Sequence, residues 1–129
     1  MKAVIQRVSQ ASVEVDNKII SNITKGLVIF VGINYTDTND DIDKLYKKIL
    51  KLRIFSDNSN KTNLNVEKAQ GSILLISQFT LCADINKGNR PSFQNAMGPE
   101  KAKKMFDVLY KKLRDNSSLK VKKGQFGAM

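Results

Sequence analysis

Histidine and tryptophan are absent from this chain of 129 residues, cysteine occurs once and proline twice. Each shortage excludes something. Without histidine there is no Ser-His or Cys-His catalytic pair and no imidazole metal ligand. A single thiol, Cys82, forms neither an internal disulfide nor a cysteine zinc cluster. It lies on an apolar strand-like stretch and reads as a small buried hydrophobe rather than a nucleophile. No metal and no cofactor are expected. The longest apolar run, LVIFVGI, falls far short of the roughly 20 residues a bilayer-spanning helix needs. The opening MKAVIQRVSQASVEV carries polar and charged residues where a signal peptide has its apolar segment. The reading is one soluble, cytoplasmic domain over residues 1–129, with no membrane partner. Acidic residues are also scarce: 12 Asp+Glu face 22 Lys+Arg, a net charge of +10. Such a balance attracts polyanions and leaves the fold open. Much of the lysine falls in KLYKKILK and EKAKKMFDVLYKKLR, where solvated helical faces explain it. A nucleic-acid partner follows only if a site elsewhere asks for one.

What is present is a mixture of strands and two helices. In ASVEVD, Ala11, Val13 and Val15 alternate with Ser12, Glu14 and Asp16, and DNK supplies a turn before IIS, so a hairpin is expected. GLVIFVGI is apolar throughout, as a strand covered on both faces requires. Thr38 with Asp41 makes a capping-box start, after which Ile42, Leu45, Tyr46 and Ile49 share one helical face. Asp37, Asp40, Asp41 and Asp43 suit the first turn of that helix better than a metal site. SDNSNKTN is a polar loop, and SILLISQFTLCA is the clearest strand. Gly98 before Pro99 and Glu100 opens a second helix, with Ala102, Met105, Phe106, Leu109 and Leu113 as its buried stripe. NSSLKVKKGQFGAM reads as a turn, a short basic strand and a glycine-punctuated end. Strands and helices without regular alternation argue for an α+β fold.

One stretch, SQFTLCADINKGNRPSF, carries most of the functional information. Ser77, Gln78 and Thr80 interrupt a good apolar strand, and Lys87 and Arg90 follow in a loop. Taken singly, Ser77 and Thr80 read as strand residues bonding to backbone, because threonine favours strands. Gln78, between Ile76 and Phe79, needs a polar partner. Phe79 and Phe126 singly read as core, and Lys87 and Arg90 as loop charges that also suit phosphate contacts.

SQFTL followed by KGNRPSF resembles the signature of the D-aminoacyl-tRNA deacylases of the D-Tyr-tRNA deacylase type. MKAVIQRVSQASVEVD, GLVIFVGI, LRIF, LNV and GQFGA resemble the same family in the same order, so the likeness runs over essentially the whole chain. It implies a homodimer with a barrel-like, mostly antiparallel β-sheet and two packed helices. The implied reaction is hydrolysis of the ester joining a D-amino acid, or glycine, to the 3′ adenosine of tRNA, with no DNA partner. By the same resemblance, Ser77, Gln78, Phe79 and Thr80 line the pocket for the adenosine and the ester. Phe126 lies beside the adenine, and Arg7 helps hold the chirality-checking loop. The family's C-terminal Gly-Pro pair, with its cis peptide bond, has no counterpart. The sequence stops at Met129, its prolines are Pro91 and Pro99, and Gly98–Pro99 sits at a helix start. The expectation is that the sequence is incomplete at its C-terminal end.

The chemistry admits two routes. Thr80 attacks the ester, which requires a base beside it, or the ribose 2′-OH next to the ester helps a water attack while the protein supplies geometry and donors. The residues favour the second, because the usual base is missing. A non-catalytic basic RNA-binding barrel is the alternative function. It calls for aromatic residues along a strand face, and aromatics are 7% of this chain. A purely structural subunit leaves the polar break at Ser77–Thr80 unexplained.

Overall fold

The computed structural model describes residues 1–127; Ala128 of the FGA segment and Met129, the end of the expected domain, lie outside the described residues. The chain runs through β1 (Lys2–Val8), β2 (Ala11–Val15), β3 (Lys18–Ile23), β4 (Gly26–Gly32), α1 (Asn39–Lys51), β5 (Phe55–Ser56), β6 (Thr62–Leu64), β7 (Ser72–Ser77), α2 (Pro99–Asp115) and β8 (Val121–Lys123). The architecture is mixed α+β, with two helices on a sheet-rich core. The strand pairs make a four-stranded sheet in the order β1-β4-β7-β8 and two ribbons, β2-β3 and β5-β6.

The central sheet is less antiparallel than expected. β1 runs antiparallel to β4, whereas β4-β7 and β7-β8 are parallel pairs. The reason is in the connections. A helix lies between β4 and β7 and another between β7 and β8, and a helical crossover returns the chain in its original direction. The apolar β4 occupies the centre. Leu27, Ile29 and Val31 face the helices, while Val28 joins Leu74 and Ile23 on the other side. From α1 and α2, Ile42, Ile49, Phe106, Leu109 and Leu113 cover the first face. Burial of each such side chain contributes about 1.5–3 kcal/mol.

The β2-β3 hairpin covers the second face. Its turn places Asp16 at φ 51° and Asn17 at φ 65°, the left-handed pair that a tight hairpin needs and that Asp and Asn tolerate. Ser21 Oγ donates to the Lys123 carbonyl at 2.6 Å, pinning the hairpin to β8. At the start of α1 the Thr38 N–H donates to Asp41 Oδ2 at 2.8 Å, as the capping reading expects. Asp37 instead accepts from the Met1 ammonium at 2.6 Å and from the Asn34 N–H at 2.7 Å. The acidic cluster is thus divided between a chain terminus and a helix cap. Among the described residues, no helix is long and apolar enough to cross a membrane.

Candidate active site

Because β4 and β7 are parallel, their C-terminal ends emerge on the same edge, with Val31 opposite Ser77. There β7 stops. The Gln78 N–H makes a last bond to the Val31 carbonyl at 2.8 Å, and residues Phe79–Cys82 then form a 3₁₀ turn. The expected continuous strand through Cys82 is therefore corrected: it ends at Ser77. The turn crosses directly over the end of β4, which Gly32 allows. A Cβ on Gly32 would sit 2.9 Å from Leu81 Cβ, 3.0 Å from the Gln78 carbonyl oxygen and 3.1 Å from Cys82 Sγ. Cys82 is buried, as expected, but on this turn rather than on a strand. Burial pushes its thiol above the usual range.

The turn forms one wall of a cavity of about 540 Å³, well within the roughly 300–1,000 Å³ typical of small-molecule sites. Ser77, Gln78, Phe79 and Thr80 line it from this side, and Val31 and Ile33 from the end of β4. Ala96, Met97, Pro99 and Ala102 close it from the start of α2, and Phe126 and Gly127 from the C-terminal segment. Pro99 occupies the first helical position after Gly98, as the sequence indicates, so α2 begins at the cavity wall. Phe126 is fixed there by Phe106 of α2, the ring centroids 5.9 Å apart.

Among the described residues, Ser77, Gln78 and Thr80 supply the polar side chains of an otherwise apolar lining, and no titratable side chain belongs to it. Gln78 Nε2 donates to Thr80 Oγ1, so the two are held as a unit. A 3₁₀ turn leaves its first amides, here those of Phe79 and Thr80, without an intrahelical acceptor, and no side chain caps them. The arrangement offers an amide, two hydroxyls and backbone N–H groups to a polar ligand inside apolar walls. Among the described residues it offers no acid or base.

Ser77, Gln78, Phe79, Thr80 and Phe126 are thus brought to one cavity. Arg7 is not. It pairs with Leu27 in the sheet, four residues from the Val31 level of the cavity, or about 13 Å along the strand. Its guanidinium donates to the Ile54 carbonyl at 3.0 Å, tying β1 to the chain entering β5. Lys87 and Arg90 lie outside the lining, exposed on the loop closed by the Asp84–Ser92 bridge. That loop reaches the site through Phe93, whose ring packs edge-on against Phe79 at 5.3 Å. Ile33 and Met97 were not singled out by sequence reasoning, and Ala102 only as part of the buried stripe of α2. They are ordinary apolar residues until the α2 start is set against the end of β4, and the Gly98–Pro99 helix start is their nearest signal.

Comparisons with known proteins identify the family of the chain. Residues 4–129 match the family model described as D-Tyr-tRNA(Tyr) deacylase. A D-aminoacyl-tRNA deacylase of Thermosipho melanesiensis is 47% identical over 99% of this chain and 85% of its own length. One from Aquifex aeolicus is 48% identical over 100% of this chain and 86% of its own. Among solved structures, one titled c-Myc DNA Unwinding Element Binding Protein superposes with a TM-score of 0.95 at 40% identity, covering 100% of this chain and 87% of that one. Another, titled as a probable eukaryotic D-amino acid tRNA deacylase, gives a TM-score of 0.83 at 14% identity over 98% of this chain and 89% of its own, a likeness of fold. The lineage of the sequence is plain: it belongs to the D-Tyr-tRNA(Tyr) deacylase family.

Proposed function

We propose that this protein is a D-aminoacyl-tRNA deacylase that also accepts glycyl-tRNA, and that it removes wrongly handed amino acids before translation can use them. The observation carrying the reading is the cavity at the ends of β4 and β7, with Ser77, Gln78 and Thr80 as its polar groups, Phe79 and Phe126 as aromatic walls, and no acid or base. An aminoacyl ester is already activated, so hydrolysis needs a placed water and donors aimed at the developing oxyanion. Gln78, Thr80 and the uncapped amides of the turn serve as donors. Ser77 helps hold the ribose, while Phe79 and Phe126 flank the 3′ adenine. Water adds to the carbonyl carbon with the vicinal ribose hydroxyl orienting it. The carbonyl–ribose oxygen bond then breaks, and that oxygen takes a proton, leaving a free D-amino acid and a tRNA with both hydroxyls restored.

In this reading Lys87 and Arg90 meet phosphates of the incoming RNA. Arg7 acts at a distance, by steadying the chain ahead of β5. The working form is a cytoplasmic homodimer in which the β2-β3 hairpin and central sheet curve into a barrel-like unit. The test is hydrolysis of D-Tyr-tRNA beside L-Tyr-tRNA. Release of D-tyrosine with the L-ester largely spared supports the proposal, and equal cleavage of both refutes the chirality assignment.

A further inference from the structure

Aromatic rings are scarce in this chain, with six Phe, three Tyr and no Trp. Most lie in or against the core, yet three are exposed: Tyr35 at 63%, Phe79 at 51% and Phe93 at 41%. A large apolar side chain left in water is informative when several gather in one place. All three belong to the cavity end of the sheet. Tyr35 follows the end of β4, and its N–H donates to the Asn95 carbonyl at 2.9 Å. Phe93 stands two residues before Asn95 and contacts Phe79 edge-on. The same segment continues through Ala96 and Met97 into the cavity wall. Beside them the Asp84–Ser92 bridge closes a loop that carries Lys87 and Arg90, both exposed, with Ile85 at 66%.

We infer that this rim is a stacking platform for the unpaired nucleotides that precede the one held in the cavity, with Phe93 and Tyr35 as its faces and Lys87 and Arg90 as its phosphate contacts. The inference rests on the deacylase reading and extends it from one nucleoside to a single-stranded 3′ tail. The cavity volume suits a nucleoside and its ester, so further nucleotides must lie outside. Bases there are unpaired, each has a π-face, and an aromatic ring accepts any of them. The edge-on packing of Phe93 against Phe79 leaves much of the Phe93 ring in solvent. A paired, stacked end presents no such base. The platform therefore favours an overhang over a blunt duplex.

The experiment measures binding of adenosine, of an unacylated RNA trinucleotide ending in a 3′ adenosine, and of a blunt RNA duplex. It uses the wild type, Phe93→Ala, Tyr35→Ala and the double variant Lys87→Ala/Arg90→Ala. The trinucleotide is expected to bind the wild type about five- to a hundredfold more tightly than adenosine, the range for one stacked base. Phe93→Ala loses at least about fivefold more on the trinucleotide than on adenosine, and Tyr35→Ala shows the same pattern. The lysine–arginine variant flattens the salt dependence of trinucleotide binding, by about 0.7 in log-log slope for each phosphate no longer neutralised. Equal affinity of the trinucleotide for wild type and both aromatic variants overturns the platform, as does a duplex that binds as well as the overhang. Unacylated ligands make the result independent of catalysis. If no acylated RNA is hydrolysed, the deacylase reading fails while the platform is still decided.

Discussion

Replacing Thr80 by alanine separates the two routes to hydrolysis by several orders of magnitude. Thr80 is exposed on the 3₁₀ turn, and its hydroxyl accepts from Gln78 Nε2. Among the described residues the cavity lining contains no histidine, carboxylate or lysine to take the hydroxyl proton, so the threonine lacks what a nucleophile of its kind requires. In the assisted route the substitution removes one solvent-accessible hydrogen bond, worth about 0.5–1.5 kcal/mol. The expected fall in kcat/KM is between about twofold and about tenfold. In the nucleophilic route it removes the attacking atom, and the fall is on the order of 10⁴- to 10⁶-fold. Single-turnover hydrolysis of D-Tyr-tRNA by the wild type, Thr80→Ala and Thr80→Ser reads the difference, with thermal melting and tRNA binding as controls. A loss beyond about 10³-fold in Thr80→Ala, with melting and binding unchanged and activity restored in Thr80→Ser, would refute the assisted mechanism. The pH profile supplies a second reading. With no titratable group in the lining, kcat has no protein-derived limb between pH 5 and 8, and a bell in that window would reveal a base outside the cavity.

Three further outcomes are expected. A tRNA ending in 2′-deoxyadenosine, acylated on its remaining hydroxyl, is a poor substrate but still binds, and normal turnover would count against participation of the 2′-OH. Gly32→Ala folds but loses activity, because its methyl group would meet Leu81, Gln78 and Cys82 at 2.9 to 3.1 Å; the turn must give by a fraction of an ångström, and since about 1 Å of misplacement can cost about a hundredfold in rate, a smaller fall is expected, measured as kcat with circular dichroism as the folding control. Cys82 keeps its proton at neutral pH, because burial raises its pKa above the reference 9.0, so it resists alkylation at pH 7–8 in the native protein. The sign follows from linkage. The unfolded thiol ionises first as pH rises past about 9, so Cys82 makes stability fall with pH there, and Cys82→Ala should lessen that fall in urea melts without changing deacylation.

Local physics made much of the fold legible. The hairpin at Asp16–Asn17, the twice-covered β4, the Thr38–Asp41 cap and the buried stripe of α2 all depend on neighbours within a few residues. Non-local features were harder. Leu81 and Cys82 continue the apolar character of β7, so the strand reads on past its real end. What ends it is the missing side chain of Gly32, 46 positions before Gln78, which lets a turn cross the neighbouring strand. The parallel pairs depend on which strands become neighbours, which alternation within each strand does not record. The polar half of the site was readable because Ser77, Gln78 and Thr80 break a pattern. Its apolar half, Ile33, Met97 and Ala102, breaks none. Arg7 was tied to the site by motif alone, and the β1–β4 register sets it a full strand segment away.

The two extremes of the composition then have separate places and separate tasks. Positive charge is abundant overall, at +10, yet none of it lines the cavity. Exposed cations act over about a Debye length, roughly 8 Å in physiological salt, and speed the encounter with a polyanion. A cation inside the cavity would be desolvated at a cost and would add a titration to a step that needs none. Keeping the cavity neutral leaves its few donors in an apolar setting, where each hydrogen bond to a developing oxyanion is stronger than in water. Salt should therefore weaken capture of the RNA, while the chemical step, in the proposed route carried by Gln78, Thr80, the turn amides and the substrate's own hydroxyl, should stay nearly indifferent to it.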